Sequence, residues 1–313
     1  MNRQFLNDVI EGLSESPKRL NSKYFYNAQG DALFQKIMQT EEYYLTSCEF
    51  EIFKDRASEI ASVFNAHLGE FDLVELGAGD ASKSIFLLQA LVEQQAIFTY
   101  MPIDISATMI DYLESTLPKH VSGLELEGLN GEYFPMLEKA NSISKSRKAV
   151  LFLGGNIGNM STAEASSFCS MLHRSLNKGD YVLMGFDLKK NPHIIFKAYN
   201  DSSGYTKEFN LNLLRRINDE LGGDFNISDY EHYNGYDPAT GACKSYLFSL
   251  KSQKVKIADE TFVFEEGEVV DMEISQKYSY EEILELGNQT NFGVVEAYFD
   301  AKRWFLDILW EVQ

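Results

Sequence analysis

The sequence predicts an α/β fold: a mostly parallel sheet with helices on both faces, joined to a second α+β region built from the two ends of the chain. Three observations predict it. Strand-like and helix-like segments alternate from residue 48 to residue 188, the pattern of a parallel sheet with crossover helices. The apolar run 71–76 breaks at Gly77-Ala78-Gly79 and passes straight into an amphipathic segment, as a buried strand, a tight turn and a helix would. After residue 189 the period changes to a helix followed by long alternating segments of antiparallel type. The expected division is therefore 48–188 for the first domain and 1–47 plus 189–313 for the second, with the last strands able to complete a sheet.

In chain order, residues 1–22 are polar and suit a helix and a linker. An aromatic stretch at 23–26 turns at 27–30 into a short helical pattern, 31–38, and a tyrosine-rich segment at 40–46 follows. These tyrosines read either as core aromatics with wet hydroxyls or as a polar-aromatic wall around a small ligand. A helix over 47–65 leads to the strand at 71–76, and 97–105 is a second strand ending on Asp104. Ser106 caps a helix that Pro118 is expected to stop. A weaker strand at 124–129 ends near Glu132 and Tyr133, and a short buried one at 148–153 ends in Gly154-Gly155-Asn156-Ile157-Gly158-Asn159. Ser161 with Glu164, and Ser279 with Glu282, form the spacing of capping boxes. The segment 180–188 is a strand, 207–221 a helix, 245–257 and 261–275 a long hairpin, and 294–299 with 304–310 a closing strand pair.

The 313 residues carry 44% hydrophobic and 24% charged side chains, ordinary globular composition with ample material for a core. A net charge of −19 argues against nucleic acid as a partner. No apolar run approaches the roughly 20 residues that cross a bilayer, so no membrane association is expected. No apolar signal core follows the first residues, and Cys48, Cys169 and Cys243 read as reduced thiols. A cytoplasmic location follows from both. Scattered histidines give no metal cluster, so no metal is expected, and a monomer is.

Ligands of open α/β sheets lie outside the carboxyl ends of the strands. Here those ends offer Glu75, Gly77 and Gly79, then Asp104, Glu132, and Gly154 through Asn159. Asp104 falls 27 residues beyond Gly77, where the next strand of a βαβ unit ends, and a carboxylate there can accept both hydroxyls of a ribose. Glycine turn and aspartate serve a nicotinamide dinucleotide as well as S-adenosylmethionine. The third glycine of the dinucleotide fingerprint is missing. Glu75 and Lys83 read equally as a structural ion pair.

Taken in order, these pieces resemble the class I S-adenosylmethionine-dependent methyltransferases, and more narrowly the histidine-specific Nα-methyltransferase family of ergothioneine biosynthesis. The motifs are Tyr-Phe-Tyr-Asn-Ala-Gln-Gly at 24–30, Glu-Glu-Tyr-Tyr-Leu-Thr at 41–46 and Glu-Leu-Gly-Ala-Gly-Asp with Lys83. Further on come Pro-Ile-Asp-Ile-Ser at 102–106, Leu-Gly-Gly-Asn-Ile-Gly-Asn at 153–159, Gly-Phe-Asp-Leu at 185–188, Ala-Tyr-Asn-Asp at 198–201 and Glu-Ile-Ser at 273–275. The resemblance implies a Rossmann-like cofactor domain with S-adenosylmethionine held by Glu75, Gly77, Gly79, Lys83, Asp104, Glu132, Tyr133 and Gly154. Gly77 and Lys83 would take its methionine end, Asp104 its ribose, and Glu132 with Tyr133 its adenine, where the family usually has Asp-Phe.

For the amino-acid substrate the resemblance implies Tyr43, Asn159 and Tyr199 at the carboxylate and amine, Glu273 and Ser275 at an imidazole, and Phe34 beside it. Tyr26 and Tyr43 are the catalytic candidates, their hydroxyls able to relay the proton that the amine sheds. Where the family usually places a methionine against the imidazole this chain has Ser245, which leaves more room, so another amino acid or amine is the alternative acceptor. Two further readings stand beside it: an oxidoreductase using a nicotinamide cofactor, which lacks an evident proton relay, and a cofactor-binding protein without turnover.

Overall fold

The computed structural model describes residues 3–313; Met1 and Asn2, part of the expected N-terminal segment, lie outside the described residues. The chain divides into two units, Leu45–Lys189 with Lys277–Gln313, and Met1–Tyr44 with Lys190–Gln276. Residues 277–313 group with the first unit, and the strands Phe292–Phe299 and Phe305–Val312 within them lie in its sheet.

That sheet has eight strands. From one edge they run Phe292–Phe299, Phe305–Val312, Tyr181–Asp187, Arg147–Phe152, Phe71–Leu76, Phe98–Asp104 and Glu125–Leu126, with Leu129–Asn130 also on Phe98–Asp104. The strands from Tyr181–Asp187 onward are mutually parallel, and Phe305–Val312 enters antiparallel between Tyr181–Asp187 and Phe292–Phe299. All six residues of Phe71–Leu76 are buried, as a central strand covered on both faces requires. Its charge at Asp72 is matched by Lys148 directly opposite in register, 2.8 Å away and equally buried.

From Phe71–Leu76 the chain first moves outward to Phe98–Asp104 and then returns to lay Arg147–Phe152 on the other side. The order reverses between those two neighbours, which opens a crevice at the carboxyl end of Phe71–Leu76. Ser106 caps Ala107–His120, and both expected capping boxes form, at Ser161/Glu164 and Ser279/Glu282.

Two local expectations are corrected. Pro118 does not stop its helix, which runs to His120; it costs one intrahelical hydrogen bond close to the helix end, and the helix stops two residues later. The strand expected at 124–129 is split in two, because Gly128 passes so close to the preceding helix that a Cβ there would lie 2.4 Å from Ile110 Cγ2.

The other unit is α+β. Tyr230–Tyr236, Ala242–Ser249 and Val269–Gln276 form an antiparallel sheet edged by the parallel pair Lys18–Arg19, and its core takes in residues of the helices Arg3–Ser14, Ala28–Met38 and Tyr205–Leu221. The long hairpin expected over 245–275 is two nested ones. Ala242–Ser249 pairs with Val269–Gln276, and between them Gln253–Ile257 and Glu260–Phe264 make a separate two-stranded sheet. The break comes where Ser249 turns its hydroxyl onto the Lys251 carbonyl and Gly267 adopts a φ of +80°.

Candidate functional site

At the crevice of the eight-stranded sheet, Gly77 and Gly79 both take positive φ, +75° and +53°, which turns their bare backbone outward. The Gly77 N–H donates to the Ile103 carbonyl at 2.8 Å, tying the turn to the neighbouring strand. The Asp104 carboxylate, at the end of that strand, accepts the Gly79 N–H at 3.1 Å and the Ser106 N–H at 2.9 Å. A Cβ on Gly77 would press on the Tyr133 hydroxyl at 3.0 Å and reach Asn156 Nδ2 at 3.6 Å. Tyr133 packs edge-on to Phe152, with ring centroids 5.6 Å apart, and burial together with the nearby Asp104 charge pushes its phenol up to about 12, so it stays a neutral donor. Glu132 is exposed at the start of the same helix.

Beneath the turn, the Lys83 ammonium pairs with Glu49, whose carboxylate also accepts the Gly154 N–H at 2.7 and 3.0 Å. Glu75 is wholly buried and accepts from the Tyr100 hydroxyl at 2.5 Å; burial raises its carboxyl from the ordinary 4.5 to about 7. Lys83 pairs with Glu49, not with Glu75. The structure thus brings together Gly77, Gly79, Lys83, Asp104, Tyr133 and Gly154. It turns Glu75 inward and leaves Asn159 exposed at the end of the Asn156–Asn159 turn.

In the α+β unit a chain of aromatic rings takes in Tyr26 and Tyr43 of the N-terminal segment. Tyr26 meets Phe34 at 5.7 Å and Phe209 at 5.6 Å between ring centroids; Phe34 meets Tyr43 at 6.2 Å; Tyr43 meets Tyr199 at 6.1 Å. The chain ends in a buried hydrogen bond of 2.6 Å between the Tyr199 and Ser275 hydroxyls. Glu273, two residues before Ser275, shares its face of the sheet by strand alternation. Directly across the strands the register sets Ser245 beside Glu273 and Asn234 beside Ser245, a polar row in which Ser245 and Asn234 are buried. Asn234 donates to the Phe196 carbonyl in the short helix that leads to Tyr199.

Sequence reasoning missed Glu49, Asp307, Phe209 and Asn234. A signal existed for Asp307, a lone charge inside the apolar run Phe305-Leu306-Asp307-Ile308-Leu309-Trp310. Glu49 sits one residue from a buried cysteine on an otherwise ordinary helix and offered none. Among the described residues no group of His, Cys, Asp and Glu side chains is placed to hold a metal ion, and no helix is long and apolar enough to cross a membrane.

The crevice suits a nucleoside: bare glycine backbone, a carboxylate at the second strand end, a neutral phenol and a lysine within one turn. The sequence model of a family described as histidine-specific, S-adenosylmethionine-dependent methyltransferases matches residues 5–312. The chain belongs to this family. It is 33% identical to the histidine N-alpha-methyltransferase of Mycolicibacterium smegmatis, over 88% of this chain and 85% of that protein. The protein of the same name from Mycobacterium tuberculosis is also 33% identical, over 87% and 83%. Ergothioneine biosynthesis protein 1 of Neurospora crassa is 30% identical over 94% of this chain, which spans only 33% of that longer protein. As a member of a methyltransferase family this chain is an enzyme that uses S-adenosylmethionine, which the donors and acceptors of the crevice fit.

Proposed function

We propose that this enzyme transfers methyl groups from S-adenosylmethionine to the α-amino nitrogen of histidine. The match to a histidine-specific family over nearly the whole chain carries the reading. The row of half-buried Glu273 with buried Ser245 and Asn234, and Ser275 tied to Tyr199, supports it by offering acceptors for a ring with N–H donors.

In this reading Asp104 receives the ribose hydroxyls, Gly77 and Gly79 leave the backbone open, and Glu132 and Tyr133 border the adenine. Lys83 meets the carboxylate of the cofactor's amino-acid end. The bound cofactor supplies a methyl group already made electrophilic by a sulfonium. The protein's task is therefore to present a neutral amine in line, a positioning effect worth about 7–11 kcal/mol of a barrier. An α-amino group titrates at about 8 in peptides and higher in a free amino acid, so a large charged fraction must first lose a proton. Tyr43 and Tyr26 offer hydroxyls to pass it on, while Tyr199 orients the substrate without the fixed negative charge that would hold an ammonium. Phe34 and the aromatic chain behind it wall the site. Glu273 accepts an imidazole N–H and selects the ring.

Calorimetry with amino acids in the presence of S-adenosylhomocysteine tests the assignment. Glu273→Ala removes a hydrogen bond to a charged acceptor and is expected to weaken histidine by about 1.5–3 kcal/mol, tenfold or more, with cofactor affinity unchanged. Unchanged selectivity in that variant would place the ring elsewhere. Ser245, smaller than the methionine usual at that position, favours a second reading in which the acceptor carries a bulkier ring; the same screen ranks such amino acids against histidine.

A further inference from the structure

Asp307 is fully buried in the strand Phe305–Val312, and neither of its carboxyl oxygens has a hydrogen-bond donor directed at it. Its register partner across the sheet is Gly185. A Cβ built there would lie 2.6 Å from Glu49 Oε1 and 3.0 Å from Asp307 Oδ1, so this glycine keeps open the space into which both carboxyl groups lean. Glu49 is already committed as an acceptor, to the Lys83 ammonium and to the Gly154 N–H. Two acceptor-only groups do not share a buried space without a proton between them. With one proton, Glu49, Asp307 and Lys83 sum to neutral; without it they leave a net negative charge buried beneath the glycine turn. Burial and the Glu49 charge both hold the Asp307 carboxyl well above the usual carboxylate range. Glu75, another buried acid here, differs from Asp307 in having a donor of its own in Tyr100.

We propose that Asp307 is a positioning residue for cofactor binding: it carries a proton that it donates to Glu49, and Glu49 so fixed sets the Lys83 ammonium where it meets the carboxylate of the cofactor's amino-acid end. The proposal rests on the assignment of that end to Lys83. It makes Asp307, which touches no ligand, a determinant of how one half of the cofactor is held.

The test compares S-adenosylhomocysteine with 5′-methylthioadenosine, which keeps the nucleoside and lacks the amino-acid end, by calorimetry on the intact protein. Asp307→Asn keeps a donor toward Glu49 and holds both affinities within about threefold of the parent protein. Asp307→Leu removes the donor; it weakens S-adenosylhomocysteine by about tenfold or more, the loss of one charge-assisted contact, and spares methylthioadenosine. An Asn variant that loses S-adenosylhomocysteine as the Leu variant does would overturn the proposal, since an ionised Asp307 would then be what matters. Equal weakening of both ligands in the Leu variant would overturn it too, by making the residue merely structural. If the Leu variant fails to fold, the Asn variant decides alone: retained affinity supports the donor role and a tenfold loss ends it. Lys83→Met separates the proposal from its premise. An unchanged ratio of the two affinities in that variant would remove the premise, whereas a collapsed ratio there beside an unchanged one in Asp307→Leu would remove the proposal only.

Discussion

Glu75 shows how a single buried side chain ties the fold of the cofactor crevice to pH. Its folded carboxyl titrates near 7 against an ordinary 4.5, because burial penalises the charged form more than the Tyr100 hydrogen bond relieves it. The folded state holds this proton more tightly than the unfolded chain does. The stabilisation is therefore complete below about pH 4.5, declines as pH rises and is gone above about 7, a total of about 3 kcal/mol. Glu75→Gln keeps an acceptor for Tyr100 and removes the titration. Urea unfolding from pH 5 to 8 should show the parent protein losing stability relative to the variant; parallel curves would contradict it. Gly77→Ala is the second expectation at this scale. It forces a side chain into positive φ, at a cost of about 1–2 kcal/mol, and onto the Tyr133 hydroxyl, so melting temperature and S-adenosylhomocysteine affinity should both fall. Asp104, Lys83 and the two glycines were legible in the sequence because their places are fixed by one strand–turn–helix–strand unit. Glu49 and Asp307 were not, since they meet only when a helix preceding the first strand and a strand near the chain's end pack onto the same glycine.

Elements whose signal is local were read closely. The apolar run 71–76 is the strand Phe71–Leu76, and the serine–glutamate spacings start Thr162–Arg174 and Tyr280–Gln289. The hairpin region was misread because alternation continues through Gln253–Ile257 and Glu260–Phe264, and period alone does not say which strands pair. What the region does for the site is to set Glu273, Ser245 and Asn234 in one row, a juxtaposition that follows from register and not from spacing. The strand Tyr181–Asp187 carries a prediction of its own. Gly185→Ala would place a methyl 2.6 Å from Glu49 Oε1 in a fully packed interior. Overpacking of that kind costs about 1–3 kcal/mol, and the displaced Glu49 should also lower cofactor affinity. A variant with the parent's melting temperature and affinity would show that the carboxyl pair has room to move.

At the scale of the whole molecule the chain passes between its two units three times, after Tyr44, Lys189 and Gln276, so neither unit is a continuous stretch. The final segment returns to complete the first sheet, with Trp310 fully buried in its core. A chain ending at Gln276 should therefore lose cooperative unfolding, as followed by far-ultraviolet circular dichroism during heating; a sharp transition in the shortened chain would contradict the placement of its last strands. The sequence hinted at this return through the closing strand pair, but strand partners far apart in the chain leave no periodic trace. The central claim is methyl transfer to histidine, and mass spectrometry of the products formed from S-adenosylmethionine and an equimolar mixture of amino acids tests it most directly. Histidine methylated on its α-nitrogen as the main product is the predicted result. Untouched histidine beside a different methylated amino acid would contradict it.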